Sequence, residues 1–393
     1  MAQLEFGIFD SFGPFEMKEF PTAVEVYEEH IRQAQEAERL GYRYYFFIEH
    51  QNSPVCSVTA PNVYLTALAA RTSALRFGLM IYQLPFHHPL RLAQELATLD
   101  QLSRGRLEFG TGTGVLAHEF IRWNLPFEDR HEMSAEALEI IVKAWTADTV
   151  TYEGKYWQFD EALPAPKPYQ QPHPPIWVAA HSAASFEYAA KHNYHIAQNI
   201  DVDAVIAEKF AGYRRLWAQY QHPGPMPHAF LTRHVHVAET DAQARAEAEP
   251  NLMMGFIQGG ELIAKTRVGF GPPDRELLER GTPERKELAR VFQECTKSYD
   301  FWIDNGLALV GSPDTVIRKI EEQRALTGYD IFCARHRIGH LAPALAHTSM
   351  RLFAQHVIPA FRNMGGPDMA PHTPQRSDRP GKAGTVLDAL TDS

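Results

Sequence analysis

Cysteine is scarce: Cys56, Cys295 and Cys333 are the only three in 393 residues, and none stands in CxxC spacing. A disulfide scaffold and a thiolate zinc site are thereby excluded, and a reducing compartment is expected. Basic runs are missing too. Lys and Arg number 38 against 48 Asp and Glu, a formal charge of −10, so the chain should not grip a nucleic-acid backbone. No apolar stretch reaches the roughly 18 residues that a bilayer span needs. The first six residues show no basic segment leading into an apolar one, so no signal peptide is expected and the protein reads as cytoplasmic. No internal repeat is apparent.

What is present is a large apolar fraction, 45%, against 22% charged residues, which supports a sizeable core. Short apolar runs alternate with amphipathic stretches. Strands are expected at residues 4–9, 44–48, 75–81, 107–110, 176–179, 195–197, 228–237 and 331–336. Helices are expected at 24–40, 61–71, 89–102, 134–145, 182–192, 204–220 and 343–358, and after Pro313. The near-continuous apolar strands predict a wholly parallel sheet covered by helices. Eight of them make a closed (β/α)8 TIM barrel over residues 1–363. Residues 149–159 read as an excursion hairpin. The rhythm lapses at about 250–305, an insertion after the seventh strand. Residues 364–393, rich in Pro, Gly, Ser and Asp, are expected to form a flexible tail.

Polar side chains cluster where these strands stop, which is how such a barrel builds a site. Ile48-Glu49-His50 ends one apolar run in a carboxylate and an imidazole. Phe109-Gly110-Thr111-Gly112-Thr113-Gly114 could let backbone approach a nucleotide, could be a tight βα turn, or could form the wall of a flavin or substrate pocket. It lacks the third-glycine spacing of the dinucleotide fingerprint and does not open the fold. His181-Ser182-Ala183-Ala184-Ser185 puts hydroxyls at a helix start, either as a cap or as a phosphate seat. His234-Val235-His236 puts two imidazoles on one strand face, as a metal site could, yet no carboxylate ligand accompanies them and no metal is expected. Arg335 and His336 end the last strand, as an ion pair or as substrate contacts.

Together, Ile48-Glu49-His50, Leu84-Pro85-Phe86-His87-His88-Pro89-Leu90-Arg91, Leu99-Asp100-Gln101-Leu102-Ser103-Arg104-Gly105-Arg106-Leu107-Glu108-Phe109-Gly110 and Val310-Gly311-Ser312-Pro313-Asp314 resemble the bacterial luciferase-like flavin-dependent monooxygenases over roughly residues 3–360. The resemblance implies a soluble homodimeric enzyme that takes reduced FMN from a separate flavin reductase. With O2 it forms a C4a-peroxyflavin, which hydroxylates a hydrophobic organic substrate or carries out a Baeyer–Villiger-type oxygenation on it. It places the catalytic histidine on His50 and a non-prolyl cis peptide on Met80–Ile81 beneath the flavin. Glu49, Met80, Ile81, Gly112, Thr113, His181, Ser182 and Ser185 form the implied cofactor set. Gln51, His88, Arg335 and His336 are the candidate substrate-pocket residues, read from their places at the strand ends. Three departures stand out. Gln51 replaces the family's second histidine, Gly112 its reactive cysteine and Thr113 its phosphate-binding arginine, which shifts phosphate contact to Ser182, Ser185 and His181. Luciferase-type light emission is not implied. Two alternatives are an oxidoreductase using the deazaflavin F420 and a non-catalytic flavin-binding protein.

Overall fold

The computed structural model describes residues 3–11, 13, 19–53, 59–265 and 283–362. Eleven strands occur among them: β1 Glu5–Asp10, β2 Tyr44–Phe47, β3 Arg76–Gln83, β4 Leu107–Gly112, β5 Val150–Glu153, β6 Gln158–Ala162, β7 Ile176–Ala179, β8 His195–Gln198, β9 Ala229–Val237, β10 Ala308–Gly311 and β11 Ile331–Arg335. Eight close a parallel barrel in the order β1-β2-β3-β4-β7-β8-β9-β11, with β11 returning to β1. Strands such as β2, buried at every residue, explain the continuous apolar runs, because both sheet faces are covered. β5 and β6 form the antiparallel hairpin expected near residues 149–159. β10 is a ninth parallel strand absent from the sequence reading, paired with the far half of β9 through Ala308–His234 to Gly311–Val237.

Side-chain alternation sorts the barrel strands into two cores. Phe9, Phe46, Met80, Trp177, Phe230, Ile331 and Cys333 fill the bore. Their sequence neighbours, such as Ile8, Phe47, Leu231 and Phe332, pack outward under the helices. Cys295 and Cys333 are both buried and free.

The glycines of 109–114 are explained by the β3–β4 seam. The ladder slips between Leu79 and Tyr82, beside a cis Met80–Ile81 peptide. A Cβ on Gly110 would run into the carbonyl oxygen of Leu79, and one on Gly112 into the side chain of Ile81. Gly114 takes φ +77°, a conformation that suits glycine. The first obstacle is backbone and cannot step aside, whereas the second is a side-chain tip. Gly110→Ala is therefore expected to cost at least about 2 kcal/mol, and Gly112→Ala distinctly less, in urea unfolding.

The segment after β9 is helical where described: Asp241–Lys265, Pro283–Cys295 and Tyr299–Asp304. It is anchored at the exit of β11, because a Cβ on Gly255 would lie 2.5 Å from the Gly339 Cα. Phe256 stacks on Phe292 and meets Trp302 edge-to-face at 4.9 Å. Among the described residues no helix is long and apolar enough to cross a membrane. Cys56 and the expected tail 364–393 lie outside the described residues.

Candidate active site

β2 ends at Phe47, and the chain leaves the barrel mouth as Ile48-Glu49-His50-Gln51. His50 Nδ1 donates to Glu119 Oε1 at 2.9 Å, and the Gln51 backbone N–H donates to the same oxygen at 3.2 Å. Glu119 is wholly buried, on the short helix Ala117–Arg122 that follows β4. Its Oε2 has no partner among the described residues. The His50 side chain keeps 21% of its surface. With Nδ1 committed to a carboxylate, Nε2 is left as the ring atom for a ligand. The sequence reading missed Glu119. The only signal was its place, five residues beyond Gly114 on the exit from the fourth barrel strand.

Glu49, expected to bind cofactor, is turned inward instead. Its Oε1 accepts from Gln51 Nε2 at 2.7 Å and His87 Nε2 at 2.9 Å, and its Oε2 from the Gln83 N–H at 2.7 Å. Burial opposes its ionisation, but the His87 imidazole and these donors hold the carboxyl below its usual range. For His87 burial again works against charge, and Glu49 overcomes it and raises the pKa. Glu49 thus ties the β2 exit to the end of β3, which fixes where His50 stands. Gln51, expected in the pocket, is buried within this same brace and also reaches the Thr59 carbonyl at 3.4 Å.

Met80 belongs to the bore and Ile81 lies half-buried beside it, with the cis peptide where the resemblance put it. Gly112 covers Ile81 from the next strand, and Thr113 Oγ1 donates weakly to the Gly114 carbonyl at 3.4 Å. Farther round, β7 leads into the ten-residue helix Ala183–His192, capped by Ser182. The Ser182 and Ser185 hydroxyls face each other at 3.2 Å and are open to solvent. His181 Nδ1 lies 3.9 Å from Asp201, whose carboxyl pairs with Lys209 at 2.6 Å. Burial would raise the Asp201 pKa, but His181 and Lys209 bring it down to about 2.

Of the expected pocket residues, Arg335 points into the mouth, its guanidinium 5.2 Å from the Phe9 ring centre and bonded to Ser11 Oγ at 2.7 Å. His336 does not. One residue further on, it falls on the outer side of the barrel, where Nδ1 meets Ser349 Oγ at 2.8 Å and Nε2 meets the Tyr42 hydroxyl at 3.3 Å. Burial there drives its pKa to about 3, so it is a neutral packing residue. His88 is exposed at the start of helix Pro89–Ser103, edge-on to Phe159 of the β5–β6 hairpin at 5.6 Å. His234 and His236 part company. The first meets Trp302 at 5.4 Å, and the second pairs with Glu247 at 2.7 Å. Among the described residues no three His, Cys, Asp or Glu side chains converge on a metal position.

The sequence profile of the luciferase-like monooxygenases matches residues 4–330. A flavin-dependent trigonelline monooxygenase, oxygenase component, from Acinetobacter baylyi is 27% identical over 326 residues, 77% of this chain and 90% of that protein. Limonene 1,2-monooxygenase from Rhodococcus erythropolis is 29% identical over 339 residues, 84% and 80% of the two chains. Among solved structures, the oxygenating constituent of 3,6-diketocamphane monooxygenase from Pseudomonas putida, a type II Baeyer–Villiger enzyme in complex with FMN, superposes with a TM-score of 0.72 at 22% identity, over 91% and 98% of the two chains. An F420-dependent tetrahydromethanopterin reductase from Methanopyrus kandleri shares the fold at TM-score 0.65 and 22% identity, over 92% of this chain and all of that one.

Proposed function

The chain belongs to the luciferase-like monooxygenase family, and on that footing we propose that it is the oxygenase component of a two-component system, taking reduced FMN from a separate flavin reductase and using O2 to oxygenate an organic substrate. The observation that carries this reading is the His50–Glu119 pair at the barrel mouth, facing the same arc of strands as Ile81, Gly112 and the Ser182 helix start.

Those residues fit a flavin mononucleotide. The ring system would lie against Met80, Ile81 and the bare Gly112, where a side chain would collide with Ile81. The phosphate would be held by Ser182, Ser185 and the free amides of the helix N-terminus, in a region where His181 can add a donor. When bound, reduced flavin supplies the electrons that activate O2. The protein's part is to position and to move protons. His50 Nε2 holds a proton at the reacting oxygen, Glu119 fixes the tautomer and stabilises the imidazolium, and the Glu49 brace keeps the β2 exit in place.

Two experiments test the reading. Incubating the protein with a flavin reductase, FMN and isotopically labelled O2 across a panel of apolar substrates should place one labelled oxygen atom in a product. Release of hydrogen peroxide alone across the panel would contradict an oxygenase. For the cofactor seat, the double variant Ser182→Ala/Ser185→Ala should bind FMN about 10-fold more weakly while riboflavin binding is unchanged. An equal loss for both flavins would remove these serines from phosphate binding.

A further inference from the structure

The flavin seat proposed above uses the arc β2-β3-β4-β7 of the barrel mouth, and the opposite arc, β9-β11-β1, carries polar groups that this seat does not use. On β9, Phe230 fills the bore while Leu231 and Val235 pack outward, so Thr232 and His234 share the inward face above Phe230. Thr232 Oγ1 and His234 Nδ1 are both enclosed and without a hydrogen-bond partner among the described residues. Arg335 on β11 is the ladder partner of His234 and faces inward over Phe9. Trp302, from the helical segment after β9, meets the His234 ring at 82° and walls off the outer side.

Two enclosed polar atoms on one inward face, each with hydrogen-bonding capacity unused, are placed to meet a polar group of a ligand. The character of the ligand follows from the local charge. Burial first, then Arg335 and Arg233, keep His234 neutral, so the face is electropositive with the imidazole free to hydrogen-bond. A guanidinium presents a planar fork suited to a carboxylate. The walls beside it, Phe9 and Trp302, are aromatic. We propose that Arg335, His234 and Thr232 form an anion subsite that makes the substrate an organic acid, its carboxylate held by Arg335 and its apolar body turned back across the barrel mouth toward His50. The assignment rests on the flavin reading for the meaning of "substrate", but the binding it predicts does not require turnover.

The test is calorimetric titration of the intact protein with benzoate, cinnamate and octanoate, each against its own amide. At least one acid should bind 10-fold or more tightly than its amide. Arg335→Gln should abolish that preference and Thr232→Val should reduce it. Acids bound no better than amides by the unsubstituted protein, or a preference that survives Arg335→Gln, would overturn the proposal. FMN titration of the same samples separates the two claims. FMN bound without acid preference removes the anion subsite alone, whereas acid preference without FMN binding keeps the subsite and removes the flavin reading.

Discussion

Replacing His50 with alanine is expected to lower oxygenated product by about 10²-fold or more, the usual scale for a lost proton-transfer group, while FMN affinity stays within about twofold. The His50 side chain keeps 21% of its surface, and among the described residues its ring hydrogen-bonds only to Glu119, so its removal should leave the fold intact. Steady-state product formation with saturating reductase, alongside FMN titration, checks both halves. Glu119→Gln keeps an acceptor for Nδ1 but removes the charge that stabilises the imidazolium. It should therefore fall between the unsubstituted enzyme and His50→Ala, with the loss appearing in kcat rather than KM. Unchanged turnover in His50→Ala would remove this imidazole from the chemistry.

The second large effect concerns stability. Glu49→Ala leaves the Gln83 N–H, His87 and Gln51 without their shared acceptor in a buried setting, and should cost about 3–5 kcal/mol in urea unfolding. The same pair sets a pH window. Glu49 is held below its ordinary value of 4.5, so its contribution is complete above 4.5 and is lost as pH falls through its lowered value. His87 is raised above its ordinary 6.5, so its contribution is complete below 6.5 and is lost as pH rises through the raised value. Both are fully present between 4.5 and 6.5. Unfolding midpoints measured across that range and beyond both its ends should be highest within it, and His87→Gln should flatten both flanks. An unaltered profile in that variant would mean that the pair contributes nothing measurable.

The barrel was legible because its strands are apolar on both faces and each is followed by a helix, a pattern that few arrangements satisfy. β10 was not, because four residues, Ala308–Gly311, between a helix and Pro313 look like a connector. It becomes a strand only by pairing with β9, some 70 residues earlier. His50 could be read from its strand end and from the family resemblance. Glu119 could not, since its contact spans 69 residues and its own helix has only six. His336 was misplaced by ending the last strand one residue late. Alternation from the inward Ile331 and Cys333 puts Arg335 inside and its neighbour outside, and the structure follows that rule. Glu49 shows a different limit: a carboxylate beside a catalytic-looking histidine is as useful holding a loop as touching a ligand, and only its three donors tell which.

The cofactor is the hinge of the whole account, because family relatives and fold neighbours divide between flavin and F420. Anaerobic equilibrium titration of the purified protein with reduced FMN and with reduced F420 tests it most directly. Saturable binding of reduced FMN, at least 10-fold tighter than F420 and weakened by Ser182→Ala/Ser185→Ala, is the expected result. Tight F420 binding with no response to reduced FMN would contradict the account.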